Sequence, residues 1–119
     1  MISNGKPRKG KRKLRDATVR RVLRIGQEIG PDEAHYEFPG FMVLSSRGSD
    51  IFRETYEAAK MRYTGKPFHG SPTFELAGLA ELLQEIIDQG HTVTGLELES
   101  GWLEIHSMED YKLACSMTL

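Results

Sequence analysis

Cysteine occurs once, at Cys115, and tryptophan once, at Trp102. A single cysteine excludes an intramolecular disulfide framework and any zinc site built from cysteines. With only Lys112 as a basic neighbour, Cys115 has no activating partner for nucleophilic chemistry. Long hydrophobic runs are missing too: the longest, Phe38 to Leu44, is seven residues and contains Pro39 and Gly40. A membrane helix needs about 20 apolar residues, so no span is expected. Met1 to Arg15 has no apolar stretch able to act as a signal core, which makes the cytoplasm the expected location. Serine-hydrolase and kinase signatures are absent as well.

What is present is the balance of one soluble globular domain: 119 residues, 39% hydrophobic and 28% charged. The net charge of −1 conceals an asymmetry. Residues 1–24 carry ten Lys or Arg against one acid, Asp16, whereas residues 25–119 carry six against sixteen. Lys6 to Arg15 alone holds seven positive charges and one apolar side chain, Leu14. Such a block buries too little apolar surface to offset its ordering entropy, so residues 1–18 are expected to form an unstructured basic tail. The tail is either a solvated extension or an arm that binds nucleic acid through its phosphates. No aromatic residue interleaves with its charges.

Beyond the tail the pattern becomes regular. Val19, Val22, Leu23 and Ile25 predict a strand ending at Gly26, and Phe38 to Leu44 predicts a second, buried on both faces with Pro39 at its start. Phe52, Tyr56, Ala59 and Tyr63 fall on one face of a helix over 50–63, with Ser46 or Ser49 able to cap it. Leu76, Leu79, Leu82, Leu83, Ile86 and Ile87 give a second helix, Phe74 to Gln89, an apolar face, and Gly90 follows as its C-cap. Val93, Leu96 and Leu98 suggest a strand, and Trp102, Leu103 and Ile105 another. Ser107 caps a last short helix, with Asp110 at capping-box spacing. The order strand, strand, helix, helix, strand, strand, helix is an α/β or α+β pattern.

The most specific stretch is Gly101-Trp102-Leu103-Glu104-Ile105-His106-Ser107-Met108-Glu109-Asp110-Tyr111. It resembles the C-terminal signature of nucleotidyltransferases that activate sugar phosphates, phosphocholine or phosphonates, in which a tryptophan precedes a Glu-Ile-Asp-Thr turn and a Glu-Asp pair. Two further segments fit in order. Arg24 to Ile29 followed by Glu37-Phe38-Pro39-Gly40 resembles the central strand and acceptor-side turn, and Phe74 to Gln89 with Gly90-His91-Thr92-Val93 resembles the helix and strand leading into the tryptophan motif. The likeness covers residues 19–114 and is to phosphocholine cytidylyltransferase-like enzymes in particular.

The resemblance implies an α/β fold: the C-terminal half of a Rossmann-like nucleotidyltransferase domain over residues 19–119, with a small mixed sheet, two main helices and a short C-terminal helix. It implies acceptor contacts from Glu37, Gly40 and Trp102, and a Mg2+ ion held by Glu104 and His106. Histidine departs from the pattern, which has an aspartate there, and magnesium prefers oxygen ligands. His106 is then a metal-side residue, a phosphate contact or an unliganded histidine at a strand end. Trp102 either attracts a quaternary ammonium by a cation–π contact or packs in the core. Glu37 is acceptor-side by resemblance or simply exposed at a loop end. His35, His69 and His91 lack ligand spacing and read as structural or solvent-facing.

The Gly-rich loop that holds the nucleotide in such enzymes has no counterpart in residues 1–18. The implied function is therefore the acceptor-side half of an enzyme that transfers a nucleoside monophosphate from a nucleoside triphosphate to a phosphorylated small molecule, inactive alone. A homo-oligomer or a complementing chain would complete it. The alternative is a non-enzymatic module that uses the basic tail to bind nucleic acid or a partner.

Overall fold

A computed structural model describes residues 1–3, 19–98 and 103–117. Val19–Arg24 forms the central strand, β2, between the two-residue edge strand β1 (Ile2–Ser3) and β3 (Thr94–Leu96). Both pairings are antiparallel: Val19 faces Leu96, Arg20 faces Gly95, and Ile2 faces Arg24. The mixed sheet expected from the sequence is thus replaced, among the described residues, by an antiparallel one. The tail expectation is also corrected at its start, because Ile2 and Ser3 pair with β2 and Met1 packs on the core. Residues 4–18, the rest of that expected tail, lie outside the described residues.

Of the first two α-helices, the second packs on the sheet and the first packs against the second. Helix α1 (Ser46–Tyr63) begins four residues before the apolar periodicity suggested. Its cap is Ser45, whose hydroxyl accepts the Gly48 N–H at 3.0 Å. A capping oxygen satisfies one of the unpaired N–H groups of a first turn, so the helix starts where the serine stands. The second predicted helix is divided: Phe74–Leu76 makes one 3-10 turn, and α2 runs from Leu79 to Asp88. Gly78 causes the break. It takes an extended backbone before α2, and its N–H donates to the carboxylate of buried Glu81 at 2.7 Å. Gly90, at φ +91°, closes the other end, with its N–H on the Ile87 carbonyl at 2.9 Å. That left-handed conformation costs a glycine little.

The core forms where α2 meets β2: Val22, Ile25, Leu83 and Ile86 are buried, flanked by Ile51 and Phe52 of α1 and by Phe38. A second apolar centre sits at the loop after α1. Phe68 is 1% exposed, with its ring centroid 5.1 Å from Tyr63 and 5.3 Å from Phe74.

The predicted strand Phe38 to Leu44 does not form, and the described part of the one predicted at Trp102 to Ile105 is not a strand. Phe38 to Leu44 is irregular, and Phe41 and Val43 are 79% and 98% exposed. Both flanks of β2 are already paired, Pro39 has no N–H to offer a ladder, and Gly40 at φ +87° turns the chain. Only Phe38 reaches the core. Leu103 and Ile105 likewise belong to no strand and are exposed. They lead into α3 (Met108–Ser116), where the predicted cap is present: Ser107 Oγ accepts the Asp110 N–H at 3.1 Å. The chain is a mixed α and β structure with no described helix long and apolar enough to cross a membrane.

Candidate functional site

Two of the residues singled out by sequence reading, Glu104 and His106, form an exposed pair ahead of α3. Glu104 and His106 stand on either side of Ile105, and their side chains meet. His106 Nε2 lies 2.7 Å from Glu104 Oε2. The Glu104 carboxylate, by hydrogen bond and then by charge, raises the His106 pKa above its ordinary 6.5, with further help from the charges of Asp110 and Glu37. Glu37, 69 residues earlier in the sequence, acts on His106 only through its charge, the weakest of these influences. Gly40 turns the chain at φ +87°, and Trp102 lies outside the described residues.

Asp110 has a local task. Its Oδ2 accepts the Ser107 hydroxyl at 2.9 Å and the His106 N–H at 3.1 Å. Those bonds, that from Ser107 first, hold its carboxyl below the ordinary carboxylate range. Magnesium demands near-octahedral oxygen coordination. Here Glu104 is bound to an imidazole, Asp110 is tied to the helix cap, and the remaining donor between them is nitrogen. This donor set does not fit Mg2+, and no chemical step is assigned to that ion.

A second group was not visible in the sequence. His69, read there as structural or solvent-facing, is half-buried in the loop after α1 at φ +49°, a left-handed conformation uncommon outside glycine. The short bridge between Phe68 and Ser71, with N–H to carbonyl distances of 3.1 and 3.0 Å, holds it there. Its Nε2 lies 2.8 Å from Glu85 Oε2, and its Nδ1 lies 4.0 Å from Asp88 Oδ2. Glu85 and Asp88 are one turn apart on α2, a spacing that puts both on one face. That i, i+3 acidic pair was the readable half of the signal; the loop that delivers the histidine was not.

Searches against protein-family models, curated proteins and solved structures give no match to this chain.

Proposed function

We propose that the chain is the acceptor-side half of a nucleotidyltransferase-like, Rossmann-derived enzyme, whose acceptor is a small phosphorylated or phosphonate molecule with a cationic head. The observation that carries this reading is the 2.7 Å contact of His106 with Glu104, with Asp110 accepting the same histidine's N–H and the charge of Glu37 acting on that ring from a distant segment. The resemblance placed Glu37 at the acceptor turn and Glu104 and His106 at the metal side of the same cleft, and those segments are distant in sequence. Three carboxylates against one imidazole favour a quaternary ammonium or primary amine over a neutral sugar. Phosphocholine and aminoethylphosphonate fit that charge better than a sugar phosphate does.

In such a transfer the acceptor's anionic oxygen attacks the α-phosphorus in line and pyrophosphate leaves, so the protein's task is mainly positioning. This chain's residues hold the acceptor: Glu37 and Glu104 face the cationic head, and protonated His106 offers an N–H to the phosphoryl oxygens. The nucleotide side would come from another chain or segment. Arg20 and Arg24, at the described end of the basic stretch, pair with Glu97 and Glu33 and so serve the fold.

Calorimetric titration of the full chain tests the reading. Phosphocholine and aminoethylphosphonate should bind more tightly than glucose 1-phosphate, and Glu37→Gln should weaken both. No pyrophosphate release is expected from the chain alone with any nucleoside triphosphate. Equal binding of all three acceptors, or binding indifferent to Glu37→Gln, would refute the assignment.

A further inference from the structure

We propose that His69, Glu85 and Asp88 form a binding site for one divalent first-row transition-metal ion, zinc in the first instance. One ring nitrogen of His69 and one oxygen from each carboxylate lie within 4.8 Å of one another. Imidazole nitrogen selects against magnesium and calcium, and two carboxylates beside it match zinc, cobalt or manganese. Zinc bonds of about 2.0–2.2 Å put tetrahedral donor atoms about 3.3–3.5 Å apart, so the 2.8 Å His69–Glu85 contact has to open by about 0.5 Å, while the widest separation, up to 4.8 Å, closes by at most about 1.5 Å.

The surroundings distinguish this group from chance neighbours on a surface. Each carboxylate has one oxygen bound by a glutamine amide and the other turned to His69. Gln84 Nε2 donates to Asp88 Oδ1 at 2.8 Å, while Asp88 Oδ2 faces the ring. Gln89 Nε2 reaches Glu85 Oε1 at 3.4 Å, while Glu85 Oε2 meets Nε2 of the histidine. The glutamines are themselves anchored, Gln84 Oε1 by the Ile25 N–H at 2.8 Å and Gln89 Oε1 by the Thr55 hydroxyl at 3.3 Å. Outer partners of this kind orient metal ligands and raise affinity.

A plain ion-pair clamp explains less. Asp88 Oδ2, at 4.0 Å from Nδ1, is beyond hydrogen-bond reach, so the clamp closes on one side only. The uncommon backbone of His69 is also held by the Phe68–Ser71 bridge and the packing of Phe68, 4.7 Å from the imidazole centroid, rather than by that pair. Three protein donors leave further positions for water, the pattern of zinc sites that keep an open coordination position.

The test uses the full chain with Zn2+ alone, and with Co2+ as a spectroscopic probe. Calorimetry should find one Zn2+ per chain. Affinity should fall at least about ten-fold in His69→Asn, Glu85→Gln and Asp88→Asn, and about 10–100-fold in Gln89→Leu. Asparagine tolerates the left-handed backbone at 69, so His69→Asn keeps the loop, and circular dichroism checks each variant. His106→Ala and Cys115→Ser should bind as the unaltered chain does. Zinc should shift the His69 ring resonances in NMR spectra before those of the other histidines. Absence of binding at millimolar zinc would overturn the proposal. So would equal affinity in His69→Asn, or binding that disappears with His106→Ala instead.

Discussion

Arg20 and Glu97 meet across the sheet, Nε to Oε2 at 3.3 Å, with side chains only 14% and 6% exposed. Arg20 lies on β2 and Glu97 just beyond β3, so the pair ties the strand ends together. Breaking a buried ion pair on one side leaves an uncompensated charge, at a cost of about 3–5 kcal/mol. Glu97→Ala should therefore lower the urea midpoint sharply with little change in slope. A fall no larger than that of an exposed pair such as Arg24–Glu33 would show that the buried geometry contributes nothing.

Tyr36 donates its hydroxyl to the same Glu97 oxygen at 3.1 Å. Burial, followed by that bond and the carboxylate's charge, raises the phenol pKa above its ordinary 10.0. The fold thus favours the protonated phenol. Its contribution is complete below the unfolded value and declines as pH rises from there through the folded value. Tyr36→Phe should cost about 1 kcal/mol at neutral pH and flatten the loss of stability above pH ~10. Unfolding series at pH 8 and pH 11 measure both effects.

Phe68 is the most enclosed large side chain described, and it touches Tyr63, Phe74 and His69. Phe68→Ala should cost about 3–5 kcal/mol, a large part of the ~5–15 kcal/mol that holds a domain together. Phe68→Leu should cost less by keeping most of the volume. Thermal unfolding compares the two directly.

The helices were legible because their apolar stripes and punctuation agree: Gly90 after α2 and Ser107 before α3 sit where the sequence put them. The strands were not. Phe38 to Leu44 has strand composition, yet composition does not say whether a partner edge is free, and β1 and β3 occupy both edges of β2. Gly78 dividing the second helix depended on Glu81 turning back to its N–H, a choice between two acceptable backbones. In the candidate site, Glu104 and His106 were picked out through the resemblance, while the strand expected to align them is not formed at residues 103–106. The pairing of His69 with Glu85 spans 16 residues and a left-handed loop, for which no local pattern exists.

His106 offers a titration with a defined sign. Glu104 raises its pKa, so the protonated ring is the form the fold favours. The contact is complete below the ordinary value of 6.5 and is lost as pH rises through the folded value. NMR titration of the ring should give a midpoint above 6.5, and Glu104→Gln should bring it back down. Glu37→Gln should lower it by a smaller step. An unchanged midpoint in Glu37→Gln would remove Glu37 from the acceptor reading.

The segment before α1 gives the last test, because two neighbouring apolar residues there should behave oppositely. Phe38 packs against the core of Val22, Ile25, Leu83 and Ile86, whereas Val43 is 98% exposed. If residues 38–44 were a strand buried on both faces, Val43→Ser would forfeit most of the ~1.5–3 kcal/mol that burying such a side chain provides. As an exposed side chain it should instead change stability by no more than about 0.5 kcal/mol. Phe38→Ala should lose about 1.5–3 kcal/mol, the worth of a large apolar side chain removed from water. Denaturant unfolding of both variants decides between an irregular arm anchored at one point and a strand. Comparable losses at 38 and 43 would restore the strand.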